Sequence, residues 1–385
     1  MAEEKKRPSL HKLALNRKDF KRLNSFIYTG NASFDIAVSD GRGMPLGTFI
    51  TLFAARATGK TTLCLDIAKR LLDTHKEKNE PYKIYYIDVE GSLDLVESMG
   101  LLEYCDSGDF LYNAALDVTF NQLEQLYRDI LGGKVAELKD VKLVIIDSIG
   151  EITTQDFIDK KVEKGSYGPK QKACAELLGK IQGACLEKGL TTLLISHEKE
   201  DSAAGTVFTG PAKRESGGKA VGFSSSIILR LGKKVGEDKL YVKKIKYKTI
   251  HGDILVPKYY KVTFKSSEKN RYGRLGSEVE MLVEPGKRCV NSFIIHAILE
   301  SNGLLKSRDR GNKGKGFILI DELLAPELRG VEMNAQELHK FISKHEKALI
   351  YDYLIPKGFF KYNIGGEIED DEDNPFEETG TDDDE

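Results

Sequence analysis

The stretch Thr51–Thr62, TLFAARATGKTT, decides the fold that the sequence predicts. The apolar run Phe49–Phe53 leads into it and is typical of a buried strand, and apolar residues repeat every four positions from Leu63, as in a helix that begins near Lys60. A strand, a loop and a helix in this order match the phosphate-binding loop G-x-x-x-x-G-K-[ST], except that Ala54 replaces the first glycine. A chance Gly-Lys-Thr turn would lack these flanking elements, so the stretch predicts a nucleoside triphosphate site. Its binding residues are Ala54, Ala55, Arg56, Ala57, Thr58, Gly59, Lys60, Thr61 and Thr62.

The residue types of this loop suit phosphate chemistry. Successive backbone N–H groups and the start of a helix attract anions, because the amides are unpaired and the helix dipole is positive there. Lys60 is expected to reach the β- and γ-phosphates, and the Thr61 hydroxyl is expected to hold Mg²⁺. Ala54 requires an unstrained backbone where glycine could adopt a positive φ.

The composition is that of a globular protein. The chain has 385 residues, of which 40% are hydrophobic and 31% charged, and this length predicts two or three domains. No apolar run approaches the roughly eighteen residues of a membrane span, and the N-terminus has no apolar signal segment. The five cysteines lie far apart without a C-x-x-C pair, which argues against zinc and against disulfides and favours a cytoplasmic location.

Charge is divided unevenly along the chain. Residues 366–385 hold twelve Asp or Glu and no Lys or Arg, so residues 1–365 carry +10 although the whole chain carries −2. Residues 1–25 hold eight Lys or Arg against three acids, which fits either a solvated helix or an arm that docks on a neighbouring subunit. A basic body with an acidic tail predicts a polyanionic partner for which the tail competes.

Three further apolar runs are predicted strands: Lys83–Asp88, Lys142–Ser148 and Thr191–Ser196. The second places Asp147 after four apolar residues, a pattern in which the carboxylate binds Mg²⁺. Buried strands often end in Asp, but this strand follows a phosphate loop in a chain that alternates strands and helices. Asp147 is therefore predicted to bind the metal.

The remaining pattern predicts an α/β fold. Thr119 and Gln122 form a capping box that opens a helix, which Gly132-Gly133 stops, and Gly189 stops a later helix. Hairpin-like runs at residues 226–232, 240–248 and 259–264 extend a mostly parallel, helix-flanked sheet by antiparallel strands. Beyond residue 285, helices at Ser292–Leu299 and Ala335–Leu354, linked by the basic run Lys306–Gly316, predict a small α-rich domain.

Several of these residues resemble the RecA-type DNA strand-exchange recombinases, in particular the bacteriophage UvsX-like branch. The resemblance covers roughly residues 25–290. Thr29–Ala37 is similar to the signature that opens the family's core, Met44–Gly47 to the turn before its phosphate loop, and Asp88-Val89-Glu90 to its Asp-x-Glu strand end. The resemblance implies a RecA-like P-loop ATPase core with ATP and Mg²⁺ as cofactors.

Catalytic roles follow from the resemblance. Glu90 matches the family's catalytic glutamate, which orients and deprotonates the attacking water, and His197 matches its polar sensor of the γ-phosphate. Considered alone, Glu90 fits a surface carboxylate at a strand end equally well, and a lone histidine is more often a packed residue. With Lys60, the resemblance makes Glu90 and His197 the catalytic set.

The resemblance also implies two DNA-binding loops, at residues 155–170 and 198–219. The first segment is polar and lysine-rich, and the second is rich in Gly, Ser and Thr. A structureless loop as long as residues 199–220 is usually functional. Lysines and arginines there would meet phosphates of single-stranded DNA, although each alone also fits a solvated surface. The expected DNA-binding residues are Lys160, Lys161, Lys164, Lys170, Lys213, Arg214, Gly217, Gly218 and Lys219.

Two nucleotide contacts come from outside the loop. Lys246 and Lys248 match a Lys-x-Lys that reaches the ATP of the adjacent subunit in the family. Asp94 matches an adenine-contacting aspartate, but Glu97 stands where the family has an aromatic residue, which leaves the base selectivity open.

The resulting hypothesis is an ATP-dependent DNA recombinase, a DNA-dependent ATPase that forms a helical filament on single-stranded DNA. It pairs this strand with double-stranded DNA and exchanges strands in recombination, repair and recombination-dependent replication. The implied partners are both forms of DNA, further copies of the chain, a single-strand-binding protein and a loader, in a bacterial or phage-infected cell. The predicted domains are a basic oligomerisation arm (1–27), the core (28–285), the C-terminal domain (286–365) and a disordered acidic tail (366–385).

Two other functions are consistent with the same core. A hexameric, helicase-like motor should carry an arginine finger and a dedicated N-terminal domain. Here about 25 residues precede the core, and Lys246 and Lys248 occupy the position that reaches the ATP of the adjacent subunit. A non-catalytic recombination mediator would not need Lys60, Glu90 and Asp147, which are all present.

Overall fold

The computed structural model describes residues 25–114, 117–159, 167–206, 210–215, 219–234, 244–249, 252–257, 259–309, 315–319 and 331–356. No helix within these ranges is long and apolar enough to cross a membrane. The expected arm and acidic tail lie outside the described residues, apart from residues 25–27 of the arm.

The strands are, in chain order, β1 (Phe26–Ile27), β2 (Met44–Pro45), β3 (Phe49–Ala54), β4 (Lys83–Asp88), β5 (Phe110–Asn113), β6 (Val141–Asp147), β7 (Thr191–Thr206), β8 (Gly210–Glu215), β9 (Ile227–Lys234), β10 (Lys244–Thr249), β11 (Gly252–Pro257), β12 (Tyr260–Asn270), β13 (Glu278–Glu284), β14 (Arg288–Val290), β15 (Leu305–Asp309), β16 (Lys315–Leu319) and β17 (Glu332–Asn334).

The helices are α1 (Ala32–Ser39), α2 (Lys60–Lys78), α3 (Leu93–Ser98), α4 (Leu102–Ser107), α5 (Phe120–Gly132), α6 (Gln155–Ile158), α7 (Tyr167–Lys188), α8 (Lys219–Ser224), α9 (Ser292–Ser301) and α10 (Ala335–Lys344), with a 3₁₀ turn at Ala136–Leu138 and a π-helical segment at Ala348–Leu354.

Ten of the described strands form one sheet. Its order is β14-β13-β12-β9-β3-β7-β6-β4-β5, with β8 paired to β7. Pairing is parallel from β9 through β5, and antiparallel where β12, β13, β14 and β8 join. The prediction of a mostly parallel sheet with an antiparallel extension is confirmed.

Alternating side chains of the central strands supply two separate cores. Leu143 and Ile145 of β6 belong to one cluster of buried residues, whereas Val144 and Ile146 belong to another on the opposite face. Because successive strand residues point to opposite faces, a continuous apolar run is what a sheet covered by helices on both faces requires. Helix α2 covers the first face, and α5 and α7 cover the second.

The predicted helix signals are confirmed in detail. The Thr119 hydroxyl accepts a hydrogen bond from the Gln122 backbone N–H, and the Gln122 side chain accepts one from the Thr119 backbone. Gly133, with a φ of 62°, ends this helix, and Gly189, with a φ of 70°, follows the end of α7. Glycine suits both ends because its φ is free to be positive.

The prediction of a long loop at residues 199–220 is wrong for most of this segment. Strand β7 does not stop at Ser196 but continues to Thr206 and pairs with β8, with Lys199 opposite Arg214 and Glu200 opposite Lys213. Residues of low strand propensity form this hairpin through backbone hydrogen bonds, so composition did not reveal it. In the other predicted DNA loop, α6 and the first turn of α7 occupy its two ends.

The region beyond residue 285 contains more than the two predicted helices. Strands β15, β16 and β17 form an antiparallel sheet that the sequence analysis did not predict, and the run Lys306–Gly316 contributes to two of them. Strand β14 pairs with β13, so the main sheet continues past residue 285. Buried residues of this region, such as Phe317 and Leu338, belong to the same cluster as those of α2.

Arg70 of α2 joins three parts of the chain. Its guanidinium donates to Asp66 (2.9 Å), to Glu346 before the π-helical segment (2.5 Å) and to the carbonyl oxygen of Cys289 in β14 (3.0 Å). Only 20% of the Arg70 side chain is exposed, and Asp66 is 5% exposed. Removing the cation would leave largely buried carboxylates without a counter-charge.

We expect Arg70→Met to lower the free energy of unfolding by about 3 kcal/mol or more, because removing one partner of a buried ion pair strands the other. Urea unfolding followed by circular dichroism measures this loss. The control is Arg128→Met, since Arg128 is 66% exposed and its pair with Glu124 should contribute less than about 1 kcal/mol. Equal losses in the two variants would contradict the proposed importance of Arg70.

Candidate functional site

The predicted site residues meet at one edge of the parallel sheet. In register, Ala54 at the end of β3 lies opposite His197 in β7, and Asp88 at the end of β4 lies opposite Asp147 at the end of β6. Parallel strands end at the same edge, where ligands of open α/β sheets bind. Glu90 follows β4 at this edge.

The phosphate loop runs between β3 and α2 as predicted. Ala54 ends the strand, and the loop residues with left-handed backbones are Ala57, with a φ of 56°, and Gly59, with a φ of 97°. The left-handed region disfavours L-residues by about 1 kcal/mol, so the strain of this loop falls on Ala57 rather than on the Ala54 substitution.

Lys60 is 4% exposed and its ammonium donates to the carbonyl oxygens of Ala54 (3.1 Å) and Ala55 (2.8 Å). Burial lowers the pKa of Lys60, while the nearby carboxylates of Asp147 and Glu90 oppose this shift. The cation therefore lies inside the curve of the loop, held by neutral acceptors that an anionic phosphate could replace.

Asp147 connects the loop to the centre of the sheet. One of its carboxylate oxygens accepts hydrogen bonds from the Thr61 hydroxyl (2.7 Å) and from the Tyr86 phenol (2.9 Å). The other oxygen, Oδ1, is buried and accepts no hydrogen bond from the described residues. Burial raises the pKa of Asp147 to about 6.

These groups fit a magnesium ion that a bound nucleotide completes. Mg²⁺ prefers oxygen ligands, typically one or two protein groups together with phosphates and water. The Thr61 hydroxyl and the unpaired Asp147 oxygen offer such a set. No cluster of three or more His, Cys, Asp or Glu within the described part of the chain could hold a metal without further ligands.

Glu90 and His197 form a pair beside the loop. Nε2 of His197 shares a short hydrogen bond with Oε1 of Glu90, and His197 is 8% exposed. This hydrogen bond lowers the pKa of Glu90. The Asp88 carboxylate fixes the turn that carries Glu90, because it accepts from the backbone N–H groups of Glu90 (2.9 Å) and Gly91 (2.8 Å).

A cavity of about 670 Å³ connects these groups. Its walls are loop residues 56–62, Glu90, His197, Lys233, Tyr260 and the turn at residues 285–286. Asp94 does not line it, and lies exposed in the first turn of α3. The arrangement can bind an elongated polyanion with a carboxylate and an imidazole beside one end.

Of the predicted DNA-binding residues, the structure describes the backbone of Lys170, Lys213, Arg214 and Lys219. Lys170 of α7 donates to the carbonyl oxygen of Gly150 in the turn after β6. Lys213 and Arg214 lie on β8, Lys219 begins α8, and Lys246 and Lys248 lie on β10, which pairs with β11 outside the main sheet. The expected sites outside the described residues are Lys160, Lys161, Lys164, Gly217 and Gly218.

Sequence reasoning missed several residues of the site. Tyr86 lies inside the predicted strand 83–88, and nothing in a strand pattern indicates that its phenol reaches Asp147. Lys233 comes from β9 and Tyr260 from the antiparallel strand β12, both far from the loop in sequence. Asp88 belongs to the Asp-x-Glu strand end, and this motif is the sequence signal for the contacts by which Asp88 fixes the turn.

Comparisons with known proteins agree with this geometry. The RecA N-terminal domain family matches residues 6–265. Proteins named RecA are similar to the chain at 28% identity in Fusobacterium nucleatum (54% of this chain, 50% of that protein), 25% in Wigglesworthia glossinidia brevipalpis (75% and 79%) and 27% in Aquifex pyrophilus (57% and 59%). The chain thus spans about half the length of the first of these relatives. Because the family match covers more than half of its length, the chain belongs to the RecA family.

Proposed function

We propose that this protein is an ATP-dependent DNA recombinase that forms a helical filament on single-stranded DNA and exchanges strands with a duplex. The observation that carries the proposal is the Glu90–His197 pair, which lines the same cavity as the phosphate loop and lies near the Thr61–Asp147 contact. Such a constellation suits hydrolysis of a nucleoside triphosphate coupled to a conformational response. His197 also supports placing the chain in the UvsX-like branch.

The phosphate end of ATP would be held by the loop. Backbone N–H groups at the start of α2 face the phosphates, and Lys60 exchanges the carbonyl oxygens of Ala54 and Ala55 for phosphate oxygens. Thr61 and Asp147 would hold Mg²⁺, which neutralises charge that develops on the phosphates. Tyr86 keeps the Asp147 carboxylate oriented through its hydrogen bond.

Glu90 would orient the attacking water and accept its proton. Its pKa is low because of the hydrogen bond with His197, so the carboxylate is ionised and able to accept a hydrogen bond from water near neutral pH. His197 pairs with this carboxylate and lines the same cavity, where its ring would meet the γ-phosphate.

The same strand that carries His197 continues into the predicted second DNA-binding segment. Strand β7 runs from Thr191 to Thr206, so a displacement of His197 acts directly on the backbone of that hairpin. This continuity supports coupling between the nucleotide and DNA. The +10 charge of residues 1–365 supports DNA as the polyanion. Lys246 and Lys248 of a neighbouring copy are proposed to complete the nucleotide site in a filament.

We expect ATP hydrolysis to be strongly stimulated by single-stranded DNA and to rise cooperatively with protein concentration, because filament formation completes each site. A coupled ATPase assay at several protein concentrations, with and without single-stranded DNA, measures this. A hydrolysis rate that does not change when DNA is added would contradict the recombinase function. Closed rings rather than helical filaments in negative-stain microscopy would favour the hexameric, helicase-like motor.

The matched variants for this assay are Lys60→Ala and Lys76→Ala, which lie on the same helix. Lys60→Ala should lower turnover about 100-fold or more, because a cation at the reacting phosphates is lost. Lys76→Ala should leave turnover unchanged, since Lys76 is 64% exposed and does not line the cavity. Undiminished ATPase in Lys60→Ala would mean that the site lies elsewhere.

We expect Asp147→Asn to abolish the strengthening of ATP binding by Mg²⁺, because a neutral amide replaces the carboxylate. Isothermal titration calorimetry with ATP, in Mg²⁺ and in EDTA, measures the ratio of the two affinities. Tyr86→Phe is the control, since it removes a hydrogen bond to Asp147 but keeps the charge. A Mg²⁺ dependence that survives in Asp147→Asn would overturn the metal assignment.

Removing residues 366–385 should tighten duplex DNA binding severalfold at about 50 mM salt, with a smaller gain at higher salt, since twelve negative charges no longer compete with phosphate. Fluorescence anisotropy of a labelled duplex across a salt series measures this. A tail of equal length with Asn and Gln in place of the acids should behave like the truncation. Binding that is unaffected by both changes would contradict competition by the tail.

A further inference from the structure

The cavity at the phosphate loop has two unlike ends. Strand β3, which leads into the loop, lies between β7 on one side and β9 on the other. Glu90, Asp147 and His197 come from β4, β6 and β7, all on the first side. The groups suited to the metal and the reacting phosphate therefore lie on that side of the loop.

The opposite end of the cavity comes from β9 and from the antiparallel strands β12 and β13 beyond it. Lys233 lies near the end of β9, Tyr260 begins β12, and residues 285–286 form the turn after β13. None of these residues takes part in the proposed hydrolysis. A nucleotide whose reacting phosphate lies beside Glu90 must place its remaining part, the ribose and base, along this second wall.

Tyr260 packs directly on the phosphate loop. A Cβ atom added to Gly59 would lie 2.7 Å from the Tyr260 phenol oxygen, so the glycine leaves room for the ring as well as permitting the positive φ of 97°. The ring is half-buried against the core cluster, and burial raises the pKa of its phenol to about 12. The phenol is therefore neutral near physiological pH, and its ring is a fixed apolar surface beside the loop.

Lys233 holds the ring from another direction. Its ammonium lies 4.7 Å from the ring centroid of Tyr260, within the range of a cation–π contact. Lys233 also lines the cavity, so the second wall presents an aromatic ring and a cation together. An aromatic ring packs against the base or ribose of a nucleotide, and a cation attracts its phosphates.

The residues expected at the base are not on this wall. Asp94 and Glu97 belong to α3, are exposed, and do not line the cavity. Glu97 is acidic and offers no ring for stacking. Among the described residues that line the cavity, Tyr260 is the aromatic one.

We propose that Tyr260, held against Gly59 and beneath Lys233, binds the nucleoside part of the triphosphate and distinguishes a nucleotide from a bare polyphosphate. This inference rests on the proposed nucleotide binding, and adds to it a specificity residue that is particular to the antiparallel extension.

The test compares ATP with inorganic tripolyphosphate, which shares the phosphates and lacks the nucleoside. Isothermal titration calorimetry on the full chain in Mg²⁺, without DNA, measures both affinities for the wild type, Tyr260→Leu and Tyr260→Phe. Tyr260→Leu should weaken ATP binding about tenfold, as expected for loss of a base–aromatic contact, and leave tripolyphosphate binding unchanged. Tyr260→Phe keeps the ring and should bind ATP within about twofold of the wild type.

A neighbouring tyrosine supplies the matched control. Tyr259 is buried against Leu282 and Val290 and does not line the cavity. Tyr259→Leu removes a comparable ring from the same part of the chain, so it reports on destabilisation alone and should leave ATP affinity unchanged. Circular dichroism melting of all variants identifies any that fail to fold.

The possible outcomes separate this inference from the proposed function. Wild-type protein that binds neither ATP nor tripolyphosphate would contradict both. A folded Tyr260→Leu that binds ATP like the wild type, or that loses ATP and tripolyphosphate equally, would overturn the Tyr260 contact while leaving nucleotide binding intact. A selective loss of ATP in Tyr260→Leu but not in Tyr259→Leu supports the inference.

Discussion

The site depends first on the buried carboxylate of Asp147. Its Oδ2 accepts from Thr61, in the first turn of α2, and from Tyr86, in β4, so one side chain fixes the helix after the phosphate loop against two strands. Burial of a carboxylate is costly when its oxygens are incompletely satisfied, and Oδ1 has no hydrogen bond from the described residues. A cation bound at Oδ1 would offset this cost of burial. The carboxylate that holds the loop in place through Oδ2 is thus the one whose Oδ1 is proposed to bind a metal.

Parallel pairing brings the other groups to the same place. Ala54 lies opposite His197, and Asp88 lies opposite Asp147, because neighbouring parallel strands pair in this register. Loops then carry Lys60 and Glu90 a short distance beyond this edge. Asp88 restrains the loop of Glu90, because its carboxylate accepts hydrogen bonds from backbone N–H groups of that loop, including those of Glu90 and Gly91. Successive apolar side chains of each central strand point into the two cores in turn, so a slip of one residue would exchange the two faces. Packing of the core and geometry of the site are therefore consequences of one register.

The sequence predicts those helices and strands that depend on residue type and spacing within one short segment. The Thr119 capping box, the strand before the phosphate loop and the start of α2 follow from residue type and spacing, and the structure has them where they were expected. The continuation of β7 to Thr206 and the sheet of β15, β16 and β17 depend on pairing between polar or mixed segments, which periodicity does not report. The site divides in the same way. Lys60, Thr61 and Asp147 belong to contiguous motifs, whereas Tyr86, Lys233 and Tyr260 enter through the folded arrangement of distant strands. Glu90 and His197 were recognised through family resemblance, since a strand-end carboxylate and a lone histidine carry little information by themselves.

Arg230 of β9 contacts the three strands β3, β7 and β12. Its guanidinium donates to Glu198 of β7 (2.9 Å) and to Glu268 of β12, and lies 4.6 Å from the ring centroid of Phe53 in β3. Glu198 directly follows His197, and β12 begins with Tyr260, so the arginine ties the strand at the reacting phosphate to the strand at the proposed nucleoside wall. A displacement of His197 along β7 must either break the ion pair between Arg230 and Glu198 or carry Arg230 with it. Because Arg230 is 29% exposed and Glu198 12% exposed, solvent only partly replaces a broken pair. The strand of the proposed sensor is thus joined to β9 and β12 by ion pairs that lie within a single chain.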